Sequence, residues 1–466
     1  MATVSEWVQE EFGSCQLGDA RLEARLLGIV NALGARPEAS LPHACADAAD
    51  LKALYRFMGN PNIEDEQLLA GHQLATRNRI LSQPVVLAVQ DTSFLDYTDH
   101  PATKGLGNLV QKYRQGICLH STLAFTPERL PLGILQLQMW TREESELSEK
   151  EQKARPIEEK ESYRWLKSLQ EVQEWAPACP DTLFVSVGDR EADIYDLFLE
   201  QVGSPVHLLI RSTQNRLLSP SGKLHNEIAS APIRAEKLVY LPKQGKQKAR
   251  IATLSVRFET LTLRPPQSRA TERLAEVRVG VLLVEEEHPP TGCAPLRWLL
   301  LTTLPLSSAE SACSYVDWYC VRWQIEVWHK VLKSGCRIEE LQLAHSDRLK
   351  TCLILYGVIA WRILYATMLG RSVPDMSCEV LLDADEWRTL YCHIHQQVVL
   401  PEHPPSLQEA ISWIGKMGGH LGRKRDGPPG IETLWKGFQR LHDMTDIYAI
   451  MKPQNPLPGT TLVGKG

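Results

Sequence analysis

The chain has no C-x-x-C pair, no excess of basic residues, no internal repeat and only one apolar run long enough to cross a membrane. Each absence excludes something. Its 11 cysteines are an odd number without regular spacing, and the closest two are Cys313 and Cys320. That argues against a structural zinc site and against a disulfide framework, and it suits a reducing cytosol. The segment MATVSEWVQEEFG is polar and acidic and lacks the apolar stretch of a secretory signal. Lysine plus arginine number 51 against 56 acidic residues, for a net charge of −5. Bulk charge therefore gives no hint of nucleic-acid binding, and any such function must come from local basic surfaces. The one long apolar run, Cys352 to Gly370, carries Arg362 at its middle. A charge there is costly in lipid, so the segment reads as a helix buried in protein. At 466 residues, 43% hydrophobic and 23% charged, the chain has ordinary globular usage and room for two to four domains.

Residues 1–70 read as helical. ARLEARLLGIVNALG places Leu22, Leu26, Leu27 and Val30 at helical spacing, with Asp19 as N-cap. Arg21 and Arg25 share one face of it, suited to DNA phosphates or equally to plain solvation. A second helix near ADLKALYRFM stops at Gly59-Asn60-Pro61. From residue 84 the period changes. PVVLAVQ, GICLHSTLAFT, LPLGILQLQMW, TLFVSVGD and VHLLIR read as strands, and READIYDLFLEQ as a helix after the fourth of them. The charged stretch after Trp140 reads as a mobile acidic loop leading into a helix. KLVYLP, RIATLSVRFETLTLR, LAEVRVGVLLVEEE and RWLLLTTLP read as a mainly antiparallel insertion. Helix returns over 308–336, and beyond Gly370 the chain is helical but broken by proline and glycine. The tail PQNPLPGTTLVGKG reads as disordered.

Two aspartates follow buried strands: Asp91 after VVLAVQ, and Asp189 after FVSVG. Ligand sites in open α/β sheets lie at such strand ends, and two carboxylates there can hold hard divalent cations. Either aspartate alone is equally a turn former or a helix N-cap. The third feature is the helix carrying Tyr319, Arg322, Glu326 and Lys333. Seven residues bring Glu326 to within ~20° of Tyr319, and Lys333 lies a further ~20° round. The alternative is an exposed face with an ordinary Arg322–Glu326 pair. Against it stand Trp318, Trp323, Ile325 and Trp328, which make the helix apolar enough to be buried, where polar groups need partners.

Tyr-(2)-Arg-(3)-Glu-(6)-Lys resembles the signature of one group of DDE transposases, the insertion-sequence-four family that includes the transposase of transposon five. Asp189-Arg190-Glu191-Ala192-Asp193 resembles that family's second-aspartate block, and Asp91 with its strand resembles the first. PLRWLLLTTLP, with Trp298, is similar to the stretch before the signature. LGDARLEARL and YRFMGNPNI are similar to the family's DNA-binding domain, and WKGFQRL extends the match to the C-terminal region.

The resemblance implies an α/β fold: an RNase H-like mixed-sheet catalytic core with a large antiparallel β insertion, flanked by helical N- and C-terminal domains. It implies an end-binding domain over 1–72, a catalytic domain over 73–368 with the insertion at about 212–305, and a dimerisation region over 369–466. It further implies that Asp91, Asp189 and Glu326 hold two Mg²⁺ or Mn²⁺ ions. Cleavage of transposon ends by hydrolysis and a hairpin would follow, and then joining of 3′-hydroxyls to target DNA. Tyr319, Arg322, Lys333 and Arg211 would hold phosphates, while Trp298 and Trp323 would contact the flipped base. Arg21 and Arg25 are candidates for end binding. Double-stranded DNA and a second copy of the chain are the implied partners, with no membrane, and the implied location is the bacterial cytoplasm at the nucleoid.

Residues 211–250 hold nine Lys/Arg against two glutamates, a basic patch suited to DNA or to a solvated loop. Arg423-Lys424-Arg425 is a second cluster. Two rival readings remain: a metal-dependent phosphohydrolase, disfavoured by serine at position 93, and a catalytically inactive DNA-binding regulator of transposition.

Overall fold

The structure is a computed structural model that describes residues 4–451, apart from 112, 144–147, 149–150, 152–154, 242–248 and 424–425. The tail beyond Met451 and much of the charged stretch after Trp140 lie outside the described residues. Five helices open the chain: α1 (Glu6–Phe12), α2 (Ala20–Ala35), α3 (Leu41–Ala44), α4 (Ala48–Met58) and α5 (Asp65–Ile80). Their starts follow from short polar side chains. Asp19 accepts the Arg21 N–H at the head of α2, and Asp47 accepts the Ala49 and Asp50 N–H groups at the head of α4. Such caps contribute about 1 kcal/mol each.

Then comes the sheet. β1 (Val85–Asp96), β3 (Gln115–Phe125) and β4 (Pro131–Trp140) form an antiparallel meander in the order β4-β3-β1, with β2 (Gly107–Asn108) as a short edge beside β3. β5 (Leu183–Gly188) runs parallel to β1 on its other side, and β6 (His207–Arg211) parallel to β5. Three antiparallel strands followed by two parallel to the first is the RNase H-like arrangement.

The insertion is antiparallel, as its alternating sequence implies, but it is not a separate sheet. β10 (Arg297–Thr302) pairs with β6, and β9 (Val277–Glu285), β8 (Arg250–Leu263) and β7 (Ile233–Leu241) follow outward, so ten strands form one sheet. Side chains alternate along β1. Leu87 and Val89 enter a core shared with the N-terminal helices, while Val86 and Ala88 enter a second core under α6 (Tyr163–Trp175) and α7 (Tyr195–Glu200). The insertion also contains a helix, α8 (Leu224–Ser230), where the sequence suggested only strands.

After the sheet, α9 (Ala309–Val321) and α10 (Trp323–Lys330) lead into α11 (Ser346–Ser372), the long apolar run. This helix is long and apolar enough to cross a membrane, yet 89% of its apolar window is buried inside the protein. Arg362 finds its partners there: the Leu381 carbonyl accepts from Nη2 at 2.6 Å, and the guanidinium lies 5.8 Å from the Trp7 ring centre. α12 (Ala384–His395), α13 (Leu407–Met417) and α14 (Ile431–Met451) pack around Trp387, Leu390, Ile414 and Leu434.

One buried polar cluster ties the helical ends to the sheet. His72 Nε2 accepts the Ile134 N–H at 2.9 Å, which leaves the ring proton on Nδ1, 2.5 Å from Glu11 Oε2. Arg79 grips the same carboxylate at 2.8 and 3.1 Å, donates to the Leu132 carbonyl, and stacks 4.4 Å over Trp361. Burial pushes the Glu11 carboxyl up, but His72 and Arg79 more than offset it and hold it well below the usual range.

Candidate active site

Asp91 lies within β1 rather than after it. Thr92 to Asp96 go on pairing with β3, from Thr92↔His120 to Asp96↔Gly116. What ends at this level is the parallel neighbour. The β1–β5 register runs to Val89↔Val187 and β5 stops at Gly188. Asp91 and Asp189 therefore each stand two residues past the same paired position, on adjacent strands.

Asp189 caps a short 3₁₀ turn, accepting the Glu191 N–H at 2.8 Å. The turn folds back so tightly that a Cβ on Gly188 would lie 2.5 Å from that of Ala192. The sequence suggested one continuous helix from Arg190, but the structure breaks it at Asp193. That carboxylate turns inward, accepts from the Ser212 hydroxyl at 2.7 Å and from the Thr213 and Gln214 N–H groups, and pairs with Arg216 at 2.5 Å. Helix resumes only at Tyr195.

The third carboxylate comes from a helix whose Ile325 and Trp328 pack in the same core as Leu87 and Val89 of β1. Glu326 is on α10, in the first turn after the junction at Arg322, and a π-helical turn, Val331–Gly335, follows the helix. Arg322 Nη2 donates to Glu326 Oε1, and its Nη1 lies 3.6 Å from Asp91 Oδ1. Burial lifts the Asp91 carboxyl to about 7. Arg322 pulls against that rise, while the neighbouring charges of Asp189 and Glu326 add to it. The three carboxylates thus share one electrostatic neighbourhood although they stand 98 and 137 residues apart in sequence.

Tyr319 is buried, edge-on to Trp298 with ring centres 5.8 Å apart. Burial pushes its phenol up, and Arg322 and Arg211 beside it oppose the rise. Arg211, at the end of β6, also donates to the Arg297 carbonyl. Lys333, in the π turn, donates to the Phe94 carbonyl at 2.7 Å and lies 3.6 Å from Glu339. Trp323 is 52% exposed. The signature face therefore does meet the strand carrying Asp91.

Three neighbours carry no motif of their own. His329 Nδ1 lies 3.7 Å from Asp91 Oδ2; burial, with Lys333 and Arg322 nearby, brings its pKa down to about 3, so the ring is neutral. Its signal was present, one helical turn after Glu326. Arg164 donates to the Thr92 hydroxyl at 3.0 Å and pairs with Glu191 at 2.5 Å, bridging the segments that carry the two aspartates. His120 shares the same Thr92 hydroxyl at 2.9 Å. Nothing in the sequence near Arg164 or His120 points to these contacts.

Other candidates stand apart. Arg25 pairs with Asp50 at 3.4 Å, and Arg21 is exposed on the same helix. The expected basic patch is thinner than its composition suggests. Arg216 is buried against Asp193, Lys237 pairs with Asp317 and Arg250 with Glu286, while Lys243, Lys246 and Lys248 lie outside the described residues. Of the second cluster only Arg423 is described. All eleven cysteines are free thiols.

The donor set suits a hard divalent cation: three carboxylates, with the ionisation of Asp91 suppressed by burial and by the like charges of Asp189 and Glu326. Among the described residues, however, no three His, Cys, Asp or Glu side chains lie close enough to hold a metal ion as they stand. The positive charge between Asp91 and Glu326 is Arg322.

Two family models match the chain. One is described as transposase DNA-binding and matches residues 4–63; the other is the transposase Tn5 dimerisation domain and matches residues 358–449. Asp91, Asp189 and Glu326 all lie between the two. Among solved structures, the chain is similar to piggyBac transposase in its synaptic complex with hairpin DNA, at 10% identity and a TM-score of 0.34, covering 89% of this chain. The match spans 66% of that chain's length, too loose a likeness to transfer any residue.

Proposed function

Starting from a chain that carries both end domains of a Tn5-like transposase, we propose that the protein is a cut-and-paste DNA transposase. What supports this reading is the electrostatic influence of Asp189 and Glu326 on Asp91, in the segment between the parts matched by a transposase DNA-binding model and a dimerisation model. Helices of the first 72 residues bind the transposon end, with Arg21 on the outer face of α2. Residues 73–368 cleave it, and 369–466 pair two copies.

Phosphodiesters are anionic and repel nucleophiles. Two Mg²⁺ or Mn²⁺ ions, when bound, would activate the attacking oxygen and stabilise the leaving one. Asp91, Asp189 and Glu326 are the residues that would hold them. Everything else falls to the chain's own side chains. Lys333, Arg322 and Arg211 offer phosphate contacts around the carboxylates, and the Tyr319 hydroxyl adds a neutral donor. Trp323, exposed beside Arg322, and Trp298, stacked edge-on to Tyr319, are the aromatic surfaces for a base turned out of the duplex. His329, neutral and against Asp91, adds no charge that would compete with a cation. Such a protein works on DNA in the bacterial cytoplasm.

The test uses purified protein, magnesium and a duplex carrying the inverted repeat that flanks the reading frame. Nicking that disappears in Asp189→Asn supports the transposase. Tight binding of the duplex without any nick identifies a DNA-binding regulator instead.

A further inference from the structure

The centre that should attract cations already contains one. Arg322 stands where α9 meets α10. Its guanidinium reaches across to both sides of the centre, Nη2 to Glu326 and Nη1 to Asp91. The Asp91 and Arg322 side chains are each 16% exposed and Glu326 is 33% exposed, so the contacts are only partly open to solvent. A planar fork of donors fits two carboxylates well. A divalent ion placed between the same two carboxylates would lie against the guanidinium, and two like charges that close repel, so ion and fork disfavour each other.

The other cations and titratable groups nearby are placed differently. Lys333 is directed at the Phe94 carbonyl and Glu339, away from the gap between Asp91 and Glu326. His329 is neutral, and Arg211 serves Tyr319 and the Arg297 carbonyl. Arg164 ties Thr92 to Glu191 on the opposite side of β1. Among the described residues, Arg322 alone bridges two of the three carboxylates.

We propose that Arg322 is an internal counter-ion that closes the carboxylate centre in the DNA-free protein, and that a DNA phosphate opens the centre by drawing the guanidinium away. The inference rests on the reading of Asp91, Asp189 and Glu326 as cation ligands. It makes metal loading depend on substrate, so a free protein holds no armed nuclease. Because coupling between sites is reciprocal, divalent ions should also tighten DNA binding.

The experiment is a Mn²⁺ titration of the full chain followed by electron paramagnetic resonance, which reads binding rather than turnover. Without DNA, Arg322→Ala should bind Mn²⁺ about 10-fold or more tightly than the wild type, within the usual range of coupling between sites. Arg322→Gln, which keeps more of the side-chain volume, should do the same. Lys333→Ala should stay within about 3-fold of the wild type, since its charge is not in the gap. Adding the flanking-repeat duplex should tighten the wild type by a factor like that gained in Arg322→Ala, and should change Arg322→Ala little. A DNA-free wild type that binds as tightly as both Arg322 variants overturns the proposal. So does a Lys333→Ala protein that gains as much, for bulk charge is then the cause. Mn²⁺ binding by Arg322→Ala that survives Asp189→Asn and Asp91→Asn would instead overturn the assignment of the carboxylates, and the bridge with it.

Discussion

Asp91 is a residue set where its own charge is unwelcome. Its carboxyl is lifted from the ordinary 3.8 to about 7 by burial and by two like charges, against the pull of Arg322. Between those two pH values the folded chain keeps a proton that the unfolded chain has released. Stability therefore falls as pH rises from about 4 to about 7 and is level above that, with a cost of at most about 4 kcal/mol. Asp91→Asn removes the charge and keeps the shape. In the absence of metal it should raise stability at pH 8 by a few kcal/mol and change it little at pH 4, as read by urea unfolding at both pH values. An equal effect at both would mean that the carboxyl is not held neutral. Glu11 shows the opposite case, a buried carboxylate fully paired with His72 and Arg79. Glu11→Ala strands the Arg79 guanidinium and should cost about 3–5 kcal/mol at pH 7 in the same measurement.

At the level of elements, the sequence shows the pieces and hides their ends. The strands around VVLAVQ, FVSVG and VHLLI are legible because apolar, β-branched runs leave few alternatives. β1 overruns its apolar stretch because Thr92 to Asp96 are held by hydrogen bonds to β3, and a polar strand end has no periodic signal. The helix expected after Asp189 breaks because Asp193 finds Ser212 and Arg216 about twenty residues on. Among the described residues the basic patch of the insertion is thinned for the same reason, Arg216, Lys237 and Arg250 being paired with the distant acids Asp193, Asp317 and Glu286. The signature segment was the most legible part of the site from its spacing, although it folds as two helices joined at Arg322 and a π turn carrying Lys333 rather than as one helix, and Trp323 stays half exposed. Arg164 was the least legible, because its worth lies in joining two strands far apart in the chain. Gly188 marks where an element end controls the chemistry. Gly188→Ala forces a Cβ against Ala192 and moves the Asp189 turn. It should lower nicking about 100-fold while leaving duplex binding intact, as seen by comparing gel shifts with cleavage. Loss of both together would point to misfolding.

Along the 466 residues, a transposase DNA-binding model matches one end and a Tn5 dimerisation model the other, and the proposed carboxylate centre lies between them. The parts are physically joined. The cluster of Glu11, His72 and Arg79 links α1 and α5 to Ile134 in β4, and Arg79 stacks on Trp361 of α11. A transposase of this design should assemble two copies on DNA ends. Sedimentation with the flanking-repeat duplex should therefore give a complex of two chains; a single chain per duplex would count against the dimerisation reading. At the heart of the proposed activity, Asp91, Asp189 and Glu326 act as one catalytic centre. Its most direct test is Mg²⁺-dependent nicking of that duplex by Asp91→Asn, Asp189→Asn and Glu326→Gln. Each change should abolish nicking while duplex binding persists, and combining Asp91→Asn with Asp189→Asn should be no worse than either alone. Substantial nicking by any one of the three would contradict it.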